Sequence, residues 1–432
     1  MSRSKKTSNA DDLVREGHVR VVDRPEIRRS GEPTIDDVAR HAGVSKGTVS
    51  HVLSGKIRVS PQTRARVEGA IRDLAFQPAE AARSLTARKR LADGERHAPA
   101  HVPRLTTVGY VSVDFTAQLD RLPRREERRL SRAIGKTIGG PAANVAAVAA
   151  GIGPPFPISA SILTAIGVDQ DSDWATAELW GRRVDVITPP ERRSGRVNRA
   201  LVLVEADGRR TIVNEPSLLA EVDVEHFLAT TDAKPLTWCL HFEGYQVPSR
   251  MAAVAAARKA GFVVSMQATG MPPDWLAAHH ATAFGAFDIM VLHRESLTQI
   301  EPAAATVEAG IEALAALACR TPVWPRLVVV TLGERGAVAV AGDGALSYAA
   351  APAVEVVDLT GAGDAFVGAL LAAVLNDAPT DMALRLACAA GSLQTTRYGA
   401  QEVLPGAAAL SHLAGMPTAA FAALTNGPEP IS

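Results

Sequence analysis

The chain has few of the groups that would commit it to several common protein classes. Its 432 residues carry only 3 cysteines. These three, Cys239, Cys319 and Cys388, are far apart, form no Cys-x-x-Cys pair and lie among apolar neighbours. That excludes a disulfide framework and sets buried thiols in a reduced, cytoplasmic setting as the expectation. Long apolar runs are missing too. Stretches such as Val145–Gly153 are short and rich in Ala and Gly, so no membrane span and no signal peptide are expected. His241, His279, His280 and His293 share no metal-ligand spacing, and His279-His280 reads as a helix end rather than a zinc site. Net charge is absent as well, with 46 basic against 46 acidic residues, but the balance hides an asymmetry. Residues 1–100 hold 20 Lys and Arg against 13 Asp and Glu, an excess of 7 that leaves an equal negative excess on the remainder. The basic end is where an anionic polymer would bind.

What is present divides along the chain, whose length fits two or three domains of roughly 100–200 residues each. Residues 1–32 are polar and without apolar period, and read as a flexible tail. Residues 33–87 carry helical signals. Thr34 with Asp37, then Ser45, then Ser60-Pro61 are successive N-caps, and Val67, Ile71 and Leu74 recur at one-face spacing. Gly43 in Ala42-Gly43-Val44 supplies the positive φ of a tight helix-turn-helix corner. Lys46, Gly47, Ser50 and His51 then point outward from the second helix, whose N-terminal part enters the major groove in such modules. Thr48, Thr63, Arg64 and Arg66 suit phosphate contacts.

Residues 88–106, charged and rich in Pro and Gly, read as a linker. From 107 to 414, β-rich runs alternate with Ala-rich amphipathic stretches. Strands are expected at Val108–Val113, Ala200–Glu205, Phe262–Met266, Ile289–Leu292 and Leu327–Thr331. The alternation predicts an α/β domain with a mainly parallel sheet. Val197–Val213 reads instead as a hairpin turned at Asp207-Gly208, suited to a small β lid. Residues 415–432 form a C-terminal tail.

The chemistry concentrates near the end. Thr331 and Gly333 close a strand where a backbone can approach a nucleotide phosphate. Asp358-Leu-Thr-Gly-Ala-Gly-Asp364 opens a helix, so the amides of Gly361, Ala362 and Gly363 sit at a helix N-terminus and can stabilise a transferring phosphoryl group. Asp364, in the same turn, is the candidate base for a substrate hydroxyl.

Two family resemblances follow from these motifs. Thr-Ile-x-Asp-Val-Ala, Ala-Gly-Val-Ser, Thr-Val-Ser-x-Val-Leu, Val-Ser-x-x-Thr-Arg-x-Arg-Val and Ala-Arg-Ser-Leu stand in order over residues 33–86, which resembles the LacI family of DNA-binding regulators. The resemblance implies a hinge helix at Pro78–Thr86, with Leu85 wedging into the minor groove, and a homodimer on a double-stranded, pseudo-palindromic operator. Residues 107–405 resemble the PfkB, or ribokinase-like, carbohydrate kinases. Gly139-Gly-Pro-Ala-Ala-Asn144 looks like that family's sugar-binding segment, Asp114 its early acid and Gly167-Val-Asp169 its Gly-x-Asp element. Carried over by position, Asp114, Gly140 and Asn144 hold a sugar or sugar derivative; Thr331, Gly333 and Gly336 face ATP; Asp364 is the base. ATP and Mg²⁺ are the implied cofactors.

Departures from the second family lie in one region. The Asn-x-x-Glu that organises Mg²⁺ and phosphate is His293-Arg-Glu-Ser296 here, leaving Glu295, one residue early, as the candidate metal ligand. Gln267 stands where many relatives have Asp, Ala79 replaces the hinge Asn of the DNA-binding family, and Ser172 replaces a glycine. Three readings stay open: a transcription regulator whose ribokinase-like domain senses a sugar, with or without nucleotide; an active carbohydrate kinase that also binds DNA; and a nucleotide sensor with no sugar site.

Overall fold

The structure is a computed structural model that describes residues 35–45, 48–49, 52, 60, 62–63, 66–67, 69–70, 102–188, 195–206, 209–215, 222–231, 238–272, 274–401 and 406–416. The chain divides into two compact units, Met1–Thr86 and Ala87–Ser432.

In the first unit the helix Ile35–Ala42 ends as the sequence predicts. Gly43 takes φ +63°, its amide reaches the Arg40 carbonyl, and the Val44 amide reaches that of Ala39. This pair of bonds closes the helix in a Schellman cap, which needs a residue free to adopt positive φ. Ser45 Oγ accepts from the Thr48 amide at 3.1 Å and Ser60 Oγ from that of Thr63 at 3.2 Å, so both serines cap. Val38, Ala39, Ala42, Val49, Val52, Val67 and Ala70 form one buried cluster. The expectations for Lys46, Gly47, Ser50, His51, Arg64 and Leu85 lie outside the described residues.

The second unit is built on a nine-stranded sheet. Its strands are β1 (Arg104–Val108), β4 (Ser159–Leu163), β5 (Val184–Ile187), β8 (Trp238–Phe242), β9 (Val263–Gln267), β10 (Ile289–His293), β11 (Leu327–Thr331), β12 (Ala337–Val340) and β13 (Leu346–Ala349). In space they run β13-β12-β11-β10-β9-β8-β1-β4-β5. The pairs from β11 across to β5 are parallel, whereas β12 and β13 add an antiparallel edge. The parallel strands are buried on both faces, which is why they read as unbroken runs such as Leu-Val-Val-Val. One layer of helices, Pro141–Ile152, Ala362–Leu375, Thr380–Gln394 and Ala407–Leu413, shares a core with one face of the sheet. The other face packs Val224–Thr230, Val247–Lys259, Trp275–Ala286 and Val307–Arg320.

A separate four-stranded sheet, β3-β2-β6-β7, forms the lid. It comprises β2 (Ser112–Gln118), β3 (Ala133–Gly139), β6 (Asn198–Val204) and β7 (Arg210–Asn214). β6 and β7 pair antiparallel, as the hairpin reading expects. Its tip, Asp207-Gly208, lies outside the described residues.

Three expectations are corrected. Val108–Val113 is not one strand: β1 ends at Val108 and β2 starts at Ser112. The Tyr110 amide between them is held by Glu243 Oε1 at 3.1 Å, and a side chain at Gly109 would collide with that carboxyl, its Cβ falling 2.2 Å from Cδ. The chain therefore changes sheets there. Of the three cysteines, Cys239 and Cys388 are buried but Cys319 is exposed, its thiol donating to the Asp343 carbonyl at 3.2 Å. In addition, β1 begins at Arg104, inside the stretch read as linker.

Candidate functional site

The site is assembled from one end of the main sheet, two helix N-termini and the lid. Asp364 sits in the first turn of Ala362–Leu375 and is buried. Both its oxygens accept hydrogen bonds: Oδ2 from Asn144 Nδ2 at 2.7 Å and Oδ1 from Gln267 Nε2 at 2.9 Å. Asn144 is oriented in turn by Gln401, whose Nε2 donates to Asn144 Oδ1 at 2.8 Å. Burial pushes the Asp364 carboxyl up to about 6, while Asn144, Gln267 and Arg210 pull the other way. Such a group is ionised at neutral pH yet basic enough to accept a hydroxyl proton.

The glycine-rich turn lies at a helix N-terminus, where the sequence places it. Gly361 caps the helix with φ +74°, a left-handed conformation that glycine adopts without strain. A Cβ there would press on Ala400, whereas one at Gly363 would meet nothing within 4 Å, so the turn is tight on its protein side and open on the other. The Ala362 amide turns back to the Leu359 carbonyl at 3.4 Å. Asp358 braces the approach, accepting from the Thr360 amide at 2.9 Å, the Thr360 hydroxyl at 2.6 Å and the Gly399 amide at 2.9 Å.

Gly140 and Asp114 lie where the lid meets the sheet. Gly140 caps Pro141–Ile152 at φ +102°, and a Cβ there would fall 2.4 Å from the Tyr110 carbonyl oxygen. Asp114 on β2 accepts from Ser112 Oγ at 2.7 Å and lies so close to Gly139 that a Cβ on that glycine would overlap its carboxyl. Burial raises the Asp114 carboxyl. Beside it is a cavity of about 390 Å³ lined by residues including Tyr110, Ser112, Asn198, Asn214 and Tyr245. Glu243, fully buried at the end of β8, accepts from the amides of Tyr110 and Ala142. Burial pushes its carboxyl up to about 8 against those bonds. The Tyr110 phenol is raised well above its usual range by burial and by the nearby Glu243, Tyr245, Asp114 and Asp364. Glu243, Tyr110, Gln401 and Arg210 were not singled out from the sequence. Only Glu243, an acid directly after an apolar strand, carried a readable signal.

Just beyond β11, Gly333 has φ +64° and open space around it, and Gly336 has φ +101° with the Ala349 carbonyl pressed against it. Backbone without side chains at the end of β11 fits a nucleotide's phosphates. Thr331 is less available. Its hydroxyl lies 3.2 Å from His293 Nδ1, and His293 Nε2 lies 3.2 Å from Thr269 Oγ1. His293 thus bridges two strands' ends, and burial holds its imidazole below the usual range, favouring the neutral form.

The residues present do not fit a protein-held Mg²⁺. Ser296 is buried and accepts from the His293 amide at 3.3 Å. Glu295 is mostly exposed and pairs with Arg294 at 2.8 Å. Among the described residues no group of three or more His, Cys, Asp and Glu is placed to hold a metal. Ser172, the other departure, has a structural place: its hydroxyl donates to Asp169 and accepts from the Val197 amide at 3.0 Å, tying a helix start to the lid.

A lid sheet over a mainly parallel sheet, with a buried acid at a glycine-rich helix start, defines a ribokinase-like α/β fold. The chain belongs to the pfkB family of carbohydrate kinases, whose pattern residues 102–407 match. Residues 34–79 match the bacterial regulatory proteins of the lacI family, so one chain joins a DNA-binding module to a kinase-family domain. Over 305 residues it is 29% identical to an ATP-dependent ribose-1-phosphate kinase of Halopiger xanaduensis, covering 69% of this chain and 94% of that protein. The HTH-type transcriptional regulator CelR of Thermobifida fusca is 46% identical over 63 residues, which span 15% of this chain and 18% of the regulator. The structure of fructokinase from Vibrio cholerae O395, with fructose, ADP and calcium bound, superposes with a TM-score of 0.55 at 26% identity, covering 72% of this chain and 99% of that one.

Proposed function

We propose that the protein is a sequence-specific transcription regulator whose ribokinase-like domain binds a sugar and ATP and retains phosphoryl transfer to a sugar hydroxyl. One observation carries the reading: Asp364 is held by Asn144 and Gln267 beneath an open helix N-terminus, with its carboxyl pushed up to about 6. A domain kept only for binding has no need of a base so placed. Asp114, Gly140 and Asn144 hold the sugar, Glu243 fixes the loops around it, and Gly333 and Gly336 admit the nucleotide. The sugar oxygen attacks the terminal phosphorus of ATP as the bond to the β,γ-bridging oxygen breaks and ADP leaves; the hydroxyl proton passes to Asp364, while the amides of Gly361 and Gly363 meet the charge on the moving group. Mg²⁺ would enter with ATP, supplying charge neutralisation on the phosphates.

Binding at the lid would shift the homodimer between states that do or do not present both helix-turn-helix modules to an operator, by no more than the ligand's differential affinity for those states. Among the described residues no helix is long and apolar enough to cross a membrane, and the proposed setting is the cytoplasm. The test is anisotropy of labelled operator DNA titrated with the full chain, alone and with sugar, ATP or both. A ligand-dependent change in operator affinity is expected; identical curves under all conditions would refute the coupling. Lys46→Ala and His51→Ala are expected to relax sequence preference while weak nonspecific binding persists.

A further inference from the structure

One cation at the site, Arg210, has no role in the chemistry above beyond its pull on the Asp364 carboxyl. Arg210 opens lid strand β7, and by the two-residue alternation of strands it shares a lid face with Asn214. Asn214 pairs with Ala200, which pairs with Asp114, so Arg210 and the sugar-binding acid are on the same face. Its side chain crosses to the glycine-rich turn, the proposed anion hole. Nη1 donates to Thr360 Oγ1 at 3.0 Å, one residue ahead of Gly361, and stands 3.9 Å from Asp358 Oδ1. Asp358 is already engaged by Thr360 and Gly399, so that ion pair is loose. The Arg210 side chain is 35% exposed, against 1% for Asp358. A guanidinium has five N–H donors in a planar fork that matches phosphate oxygens. The Thr360 contact uses one of them and leaves the fork at the mouth of the hole. The positive field there also reaches Asp364, whose carboxyl it lowers.

We infer that Arg210 binds the terminal phosphate of ATP from the lid, and that it supplies the fixed positive charge for phosphoryl transfer where His293 and Ser296 hold none. The inference rests on the phosphoryl-transfer reading. The sugar oxygen forms its bond to the γ-phosphorus as the bond to the β,γ-bridging oxygen breaks. ADP leaves with that electron pair, the hydroxyl proton goes to Asp364, and Arg210 neutralises charge on the non-bridging oxygens without changing its own bonds. Because the residue rides on the lid, the charge is in place only when the lid lies over the site, which ties phosphate recognition to sugar binding.

The test compares wild type, Arg210→Ala and Arg210→Lys as full chains, each confirmed folded by its melting curve. Affinities for ATP and ADP are measured by calorimetry with Mg²⁺, and kcat by ADP release. Loss of a charge-assisted contact should weaken ATP binding roughly tenfold while leaving ADP nearly unchanged, and kcat should fall about 10²–10³-fold with a much smaller change in sugar KM. Arg210→Lys should show the same selective loss in smaller measure, and it decides the question if the alanine variant does not fold. An ATP-to-ADP affinity ratio unchanged in the variants would overturn the inference and leave Arg210 a lid latch. If wild type turns over no sugar at all, the kinase part of the proposed function fails, and the affinity ratio alone decides the role of Arg210.

Discussion

Asp364 and Gln267 show how a residue's neighbours alter what its type implies. Gln267, where relatives often carry Asp, reads in sequence as a loss at the site. In the structure its amide donates to Asp364 at 2.9 Å, so Gln267 holds the proposed base in place. That contact joins residues 97 apart, and no local pattern encodes it. The same geometry sets a pH dependence. The carboxylate must be ionised to take the proton, and burial raises it to about 6, so kcat should fall about tenfold per unit below that pH. Gln267→Leu removes a donor to the ionised form and should move this acid limb upward, as a pH–rate profile would show. The sign for stability follows the same shift. A carboxyl raised in the fold contributes most below its unfolded value, and that contribution is lost as pH rises through about 6.

Elements with strong local signals were legible: the Schellman corner at Gly43, the caps at Ser45 and Ser60, the strand Leu327–Thr331, the hairpin pairing of β6 with β7, and the glycine-rich helix start at Gly361. Each depends on residues within a few positions of one another. The break between β1 and β2 was not legible, because it depends on Glu243, which meets Tyr110 from 133 residues away. The start of Arg294–Ile300 is an intermediate case. The family resemblance implied that His293 and Ser296 stand in place of Asn and Glu, but not that His293 would bridge Thr269 and Thr331. Returning the element to Asn-x-x-Glu frees Thr331 and restores an acid at the phosphate side. The double variant His293→Asn with Ser296→Glu should raise kcat about tenfold or more and steepen its dependence on Mg²⁺. Initial rates across a magnesium titration measure both.

On the scale of the whole molecule, the lid has two unlike faces. Asp114, Arg210 and Asn214 share the face used by the proposed site. The opposite face carries Leu201 and its partner Val213, 53% and 56% exposed, with Ile134 at 73%. An apolar row on a sheet otherwise bordered by charge favours a second copy of this chain as the proposed homodimer contact. Leu201→Asp should therefore convert dimers to monomers in sedimentation velocity and reduce operator affinity, since two half-sites would no longer be engaged together. A variant that stays dimeric would place the contact elsewhere.

Phosphoryl transfer at Asp364 is the central claim, and ADP release tests it most directly. Wild type and Asp364→Asn are compared across a panel of pentoses, hexoses and their phosphates with ATP and Mg²⁺. At least one sugar should stimulate ADP release in wild type, and the substitution should reduce that rate about 10³-fold or more while sugar still raises the melting temperature. Sugar-dependent stabilisation of wild type with no turnover, or turnover that survives Asp364→Asn, would contradict it.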